Sequence, residues 1–365
     1  MRRAALSAIV LLGFLRSAAA DSWVVRMESG AEADSNVARV EDQARTAAAA
    51  GRLGARLDHS GHVLGGTYVA DVSGLARMIA SSHTSDENVM LAAGELRWLY
   101  PLGERSLAAG IHLTAADSYG VLGQTGARTF RNLGGDAVVM LGHGEDHRLM
   151  LGVGARDFLY KPDHAFNWRG PVGNARLDAV LWQAPDRTSN LELATTLGFE
   201  ARSYKSTALA SCSPDQKIDD CTFATPLRRR DRYQHLGAAL TWTGGLVATG
   251  SYQLTVIDSN SFGQSLIRQR ISAAVTAELF GALFVTTTAT LQLDLFPDEI
   301  LVDDLQHQEL TSLEDENRSS LQVLLTRKLS PAWSLEARGA IWRDLGTGAA
   351  SFRRELVYAG VFYSR

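Results

Sequence analysis

Residues 190–202 alternate. Leu191, Leu193, Thr195, Leu197, Phe199 and Ala201 fall on one face of a strand, and Glu192, Ala194, Thr196, Gly198, Glu200 and Arg202 on the other. Segments of this kind, about ten residues each, recur along the chain between short turns and longer polar connections. A strand that is apolar on one face and polar on the other, repeated this often, has few destinations. One closed sheet with lipid outside and water inside satisfies every segment at once, so the pattern predicts a transmembrane β-barrel.

The start of the chain fits export. Arg2 and Arg3 precede an apolar stretch from Ala4 to Leu15, and Ala18-Ala19-Ala20 is a small-residue cleavage motif. The expected division is a signal peptide over 1–20 and one barrel domain over 21–365. Without residues 1–20 the chain carries 33 basic and 40 acidic residues, a balance that does not favour nucleic acid. Hydrophobic residues make up 45%, which argues against a helical membrane protein but not against a barrel, whose strands give lipid only every second residue. Residues 236–257 hold no charge and are long enough for a membrane helix. They are nevertheless broken by Thr243-Gly244-Gly245 and alternate on both sides of it, so they are read as a hairpin.

Tight turns are expected at Pro101-Leu102-Gly103-Glu104, His143-Gly144-Glu145-Asp146, Pro185-Asp186-Arg187-Thr188, Thr243-Gly244-Gly245, Phe280-Gly281 and Ser330-Pro331-Ala332. Longer connections are expected at 74–86, 118–128, 161–168, 203–231, 258–264, 296–318 and 345–351. The fold class is therefore all-β, an antiparallel up-and-down barrel of about 16 strands, with 14 as the alternative count. The second and third strands are the weakest part of the pattern, with a turn expected near His59 and His62; residues 41–50 read as helical or unstructured. Short turns would face the periplasm and long loops the exterior of a bacterial outer membrane.

Aromatic residues gather at strand ends. Trp23, Trp98, Tyr100, Trp182, Trp242, Phe280, Phe284, Trp333 and Tyr363 lie at the turn or terminus ends. Tyr119, Phe130, Phe158, Tyr160, Trp168, Tyr204, Tyr233, Phe296 and Phe352 lie at the loop ends. Both groups are expected to form belts at the two lipid interfaces.

The polar face carries both signs. Arg26, Arg52, Arg56, Arg156, Arg176, Arg268, Arg270, Lys328 and Arg338 are expected to point into the lumen. So are Glu28, Glu32, Asp71, Asp136, Asp178, Glu192, Glu200, Glu278, Asp294 and Glu336. In lipid a Lys or Arg would cost about 2–4 kcal/mol at the midplane; facing water or a partner it does not. These charges either tune a wet channel or merely pair across strands. The signs nearly balance, so no charge selectivity follows. A lumen of about 16 strands is too wide to be filled by wall side chains alone.

Cys212 and Cys221, the two cysteines, flank eight residues in the longest loop and suggest a disulfide worth about 2–3 kcal/mol. Arg228, Arg229, Arg230 and Arg232 form a basic run beside it, either a lipopolysaccharide contact or a solvated charge run. Residues 294–316 are acidic without a calcium-loop spacing, and the His143–His147 cluster belongs to a turn, so no metal and no cofactor is expected. No G-x-S-x-G, H-E-x-x-H or P-loop motif is present, and no enzyme is expected.

Gly30-Ala31-Glu32-Ala33-Asp34-Ser35-Asn36-Val37 resembles the first-strand signature of a group of proteobacterial barrels. That group includes porin-like proteins and the barrel of surface lipoprotein assembly modifiers. The closing residues Tyr358 to Arg365 resemble the assembly signal of bacterial barrels, with Tyr358, Gly360 and Tyr363 at its key positions and Arg365 where an aromatic is usual. These resemblances imply outer-membrane lipid and the barrel-insertion machinery as partners. The expected function is passive diffusion of small solutes. The alternatives are an export barrel for polysaccharide or lipoprotein, and a plugged structural or adhesive barrel.

Overall fold

The computed structural model describes residues 22–37, 46–103, 106–121, 128–143, 146–212, 222–298, 318–343 and 352–365. Sixteen strands form one closed antiparallel barrel in which each pairs with its neighbours in sequence and the last pairs with the first. In chain order they are β1 Ser22–Asp34, β2 Ala48–Val63, β3 Gly66–Ile79, β4 Val89–Pro101, β5 Leu107–Gly120 and β6 Phe130–His143. Next come β7 His147–Tyr160, β8 Trp168–Gln183, β9 Asn190–Ser211, β10 Thr222–Thr243 and β11 Val247–Ser259. The last five are β12 Leu266–Phe280, β13 Leu283–Leu295, β14 Ser319–Lys328, β15 Trp333–Arg343 and β16 Arg353–Ser364. The chargeless stretch is indeed a hairpin, with Thr243 opposite Val247.

Register turns the alternation into two walls. On β9, Leu197 and Phe199 face outward and are exposed, as are Leu53, Val153, Ile271 and Leu321 on other strands. No second layer of protein covers that apolar wall among the described residues. One end of the barrel carries tight turns. At Leu64-Gly65 and Gly281-Ala282 the non-glycine residues take positive φ, 52° and 63°, as a two-residue hairpin that keeps the strand twist demands.

Three expectations are corrected. The turn near His59 and His62 lies instead at Leu64-Gly65, and both histidines sit within β2. Residues 48–50, read as helical or unstructured, begin β2. Most of the expected loop 203–231 is strand, because β9 and β10 each continue for 22 residues.

The long-loop end is held by side chains that replace missing ladder bonds. Asn88 Oδ1 accepts from the amide of Ile79 at 2.5 Å while its carbonyl accepts from Val121 at 2.8 Å. Asn167 does the same for Tyr160 at 2.6 Å and Lys205 at 2.9 Å. The seam between first and last strands uses Asp34-Ser35-Asn36. Ser35 Oγ accepts from Glu355 N at 2.8 Å, and Asn36 Nδ2 donates to the Arg353 carbonyl at 3.2 Å.

Candidate channel lumen

The inner wall is a ladder of ion pairs. Arg26 lies 3.3 Å from Asp58, and Arg56 bridges Asp58 at 3.0 Å and Asp71 at 2.6 Å. His112, which sequence reasoning did not select, stands between Glu95 at 3.0 Å and Asp136 at 3.3 Å. Further round, Arg176 meets Asp178 at 2.9 Å, Arg202 meets Glu200 at 3.1 Å, and Arg268 meets Asp294 at 2.7 Å. Glu28 lies 3.5 Å from Arg52. Glu192 accepts from Asn190 at 2.6 Å, and Glu278 accepts from the turn amide of Ala282 at 2.9 Å. Glu336 faces Thr326 and Gly360, and Arg338 faces Leu324 and Tyr358 across their neighbouring strands. Arg156 lies between Gly134 and Gly170, and Arg270 between Gln253 and Gln292; neither has an ion pair among the described residues.

Not all of this wall is wet. Arg176 and Asp178 keep 50% and 38% of their side-chain surface exposed inside the closed barrel. By contrast, Asp34 and Arg354 are buried, with 0% and 2% exposed and 2.6 Å between their charged atoms. Arg77 joins Asp34 at 2.6 Å and Glu32, and Arg52 reaches Glu32 at 3.5 Å. Buried charges persist only when paired this fully. This cluster bonds β1 to β3 and β16 at the loop end. It gives the first-strand Asp a physical role that the spacing alone did not reveal.

Gly30 and Gly360 share one cause. A Cβ at Gly360 would sit 2.1 Å from Tyr358 Oη, and one at Gly30 would sit 2.5 Å from the same oxygen. The Tyr358 ring therefore lies inward across both glycines, 5.1 Å from the Arg52 guanidinium. Tyr363 faces the other way and packs on Trp333 at 5.0 Å between ring centres.

The aromatic belts need correction. The turn-end belt exists on the outer wall, with Trp23 against His59, Trp98 near Tyr100, and Trp182 stacked on Trp242 at 5.5 Å. Phe284 departs from it and faces inward beneath Lys328. At the loop end only Tyr119 takes the outward register. Phe130, Tyr160, Trp168, Tyr204, Tyr233 and Phe352 are buried on the inner side, and Phe158 and Phe296 share their inward register. Phe130, Phe158 and Trp168 stack at 5.8 Å spacings, and Arg202 is held between Trp168 at 4.2 Å and Tyr233 at 3.6 Å. Arg229 lies 4.1 Å over Tyr204 and pairs with Asp231 at 2.6 Å. Cationic side chains sandwiched by rings make a rigid inner layer rather than a lipid belt.

Cys221 lies outside the described residues, as do residues 299–316 of the acidic stretch 294–316, the turn residues Gly144 and Glu145, and residues 1–21 with the expected signal. Among the described residues no group of metal-capable side chains comes together.

The fold and its inner wall define an all-β, 16-stranded up-and-down barrel with an ion-paired lumen. No family model matches the chain, and no curated protein matches it. Solved structures similar to it include OccK8 (OprE) of Pseudomonas aeruginosa, at a TM-score of 0.42 and 8% identity over 94% of this chain and 98% of that one. A mutant of the TodX monoaromatic hydrocarbon channel matches at 0.40 and 9% over 95% and 90%. A mutant of the Rh. blastica porin matches at 0.39 and 9% over 95% and 100%. The barrel class rests on the strand pairing itself, not on these similarities.

Proposed function

We propose that this barrel spans a bacterial outer membrane and lets small polar solutes diffuse through its lumen. The carrying observation is the half-exposed ion pair Arg176–Asp178 inside a closed ring of strands, since side chains that meet solvent inside a barrel require a wet lumen. Every described strand belongs to the wall, and the two short helices, Ser82–Glu87 and His164–Phe166, lie in connections. Charged residues lining such a path set selectivity through their unpaired members. A Cys212–Cys221 disulfide at the far end of the β9–β10 hairpin, and Tyr358, Gly360 and Tyr363 as the signal read by the insertion machinery, belong to the same proposal. Purified protein added to a planar bilayer is expected to give discrete conductance steps. Protein that inserts, shows heat-modifiable gel mobility and never conducts would overturn the diffusion reading. A surface-adhesive role is the second reading, favoured by the length of β9 and β10, which far exceeds the 9–11 residues or so that cross a membrane.

A further inference from the structure

The outer wall carries few charges, and several of them pair with one another: Asp117 with Arg131, Arg232 with Asp258, and Arg353 with Glu355. On β12 and β13 every described outward residue is uncharged, from Ile267 to Leu279 and from Leu283 to Leu295. On β8, β9 and β10 the outward register instead brings Arg169, Lys205, Arg228 and Arg230 together at the loop end. Arg169 and Arg230 both pair with Ser203, and Arg228 pairs with Thr207, two outward steps further along β9 with Lys205 between them. Strand spacing sets Arg169 and Arg230 about 10 Å apart across that small serine. All four cations are exposed and none has an ion pair among the described residues, although Asp157 of β7 stands across from Arg169; Arg131, by contrast, meets Asp117 at 2.8 Å on the same face.

Their height is set by the apolar wall beneath them. Outward apolar residues of β9 run from Leu191 to Ala201. That is one membrane-crossing strand, about 9–11 residues long. Ser203 and Lys205 therefore start at the level of the lipid headgroups, where an unpaired cation is tolerated and a phosphate is the abundant counter-charge. A cavity of about 550 Å³ is cut into the wall here, lined by Leu133, Gly135, Ala155, Asp157, Arg169 and Ser203 of the outward register and by Gly134, Arg156 and Gly170 of the inward one. Its small residues leave room for a hydrocarbon chain directly below the cations.

We infer that Arg169, Lys205, Arg228 and Arg230 bind the phosphorylated headgroup of an outer-leaflet glycolipid, with one acyl chain in the cavity beside Gly135 and Ala155. The inference rests on the membrane-barrel reading above. Guanidinium groups match phosphate oxygens two at a time, and four converging cations suit a headgroup carrying more than one phosphate. Over β12 and β13 the outer wall offers lipid no charge, and elsewhere its outward charges include the pairs Arg131–Asp117 and Arg353–Glu355, so this sector is where a tightly held lipid would remain on purification.

Native mass spectrometry of the full chain in detergent tests this with two probes, bis-phosphorylated lipid A and the same lipid with its phosphates removed. The intact protein is expected to retain the phosphorylated lipid about 100-fold more strongly, the scale of several surface cation–phosphate contacts. R169Q/K205Q/R228Q/R230Q is expected to lose that preference, and R353Q, on the opposite outer wall, to keep it. Equal retention of the two lipids by the intact protein overturns the inference, as does a quadruple variant that still prefers the phosphorylated one. Heat-modifiable mobility and bilayer conductance of the same samples separate the two failures. A barrel that folds and conducts without lipid preference sinks the lipid site alone, and a chain that shows no barrel behaviour sinks the reading beneath it.

Discussion

Asp34 accepts hydrogen bonds from Arg354 and Arg77 while fully enclosed, so its removal takes a buried carboxylate from both guanidinium groups, Arg77 keeping Glu32. Asp34→Ala is expected to destabilise the barrel by about 3–5 kcal/mol, the loss typical of one partner of a buried pair. The temperature at which heat-modifiable mobility is lost in detergent measures it; an unchanged midpoint would mean that the seam does not depend on this cluster. Gly360→Ala places a methyl where Tyr358 already lies and should cost about 1–3 kcal/mol through overpacking. Removing the ring as well, in Y358A/G360A, should recover part of that loss, and strict additivity of the two changes would refute the packing argument.

The strand is the unit at which lipid and water are told apart. Leu197 and Thr196 are neighbours on β9 that face opposite sides of the barrel wall. Leu197→Arg should cost about 2–4 kcal/mol of folding free energy in vesicles, and Thr196→Arg much less, because only the first pushes a cation into lipid. Equal costs would mean the register is wrong. Alternation made most strands visible, and the expected turns and connections depart most from the observed strand limits at β2, β3, β8 and β10. The β10 extension was hidden because its outward face carries arginines instead of apolar residues, and its pairing is shifted between Ala224 and Arg230. A charged strand above the lipid has no apolar stripe to announce it.

At the scale of the whole barrel, the proposed passage of solutes would be tuned by lumen charges that lack an ion pair. Arg156 and Arg270 are inward, part-buried and without ion pairs among the described residues. R156Q/R270Q should shift the reversal potential in a salt gradient towards cation preference, with conductance steps retained. A reversal potential unmoved by the double substitution would assign selectivity elsewhere. Raising the ionic strength should shrink the difference between the two proteins, since the charges act through water.

Period-two alternation, turn chemistry and connection length are local properties, so the all-β class and the strand number were written in the chain, and within a recognised strand parity sorts residues to its two faces. Even the inward aromatics obey that rule. Phe130 shares its parity with Asp136, Phe158 and Tyr160 share theirs with Arg156, and Trp168 shares its own with Arg176. Position along the strand alone does not say which medium a ring meets; parity does. What only the tertiary structure decided are contacts made by closure. Asp34 meets Arg354 across a separation of 320 residues, and Tyr358 fills the space left by Gly30. Arg169 joins Arg230 on one outer patch because β9 brings β8 and β10 to its two sides. Hydrogen bonding between strands, not spacing within them, sets those distances, and no local pattern records it.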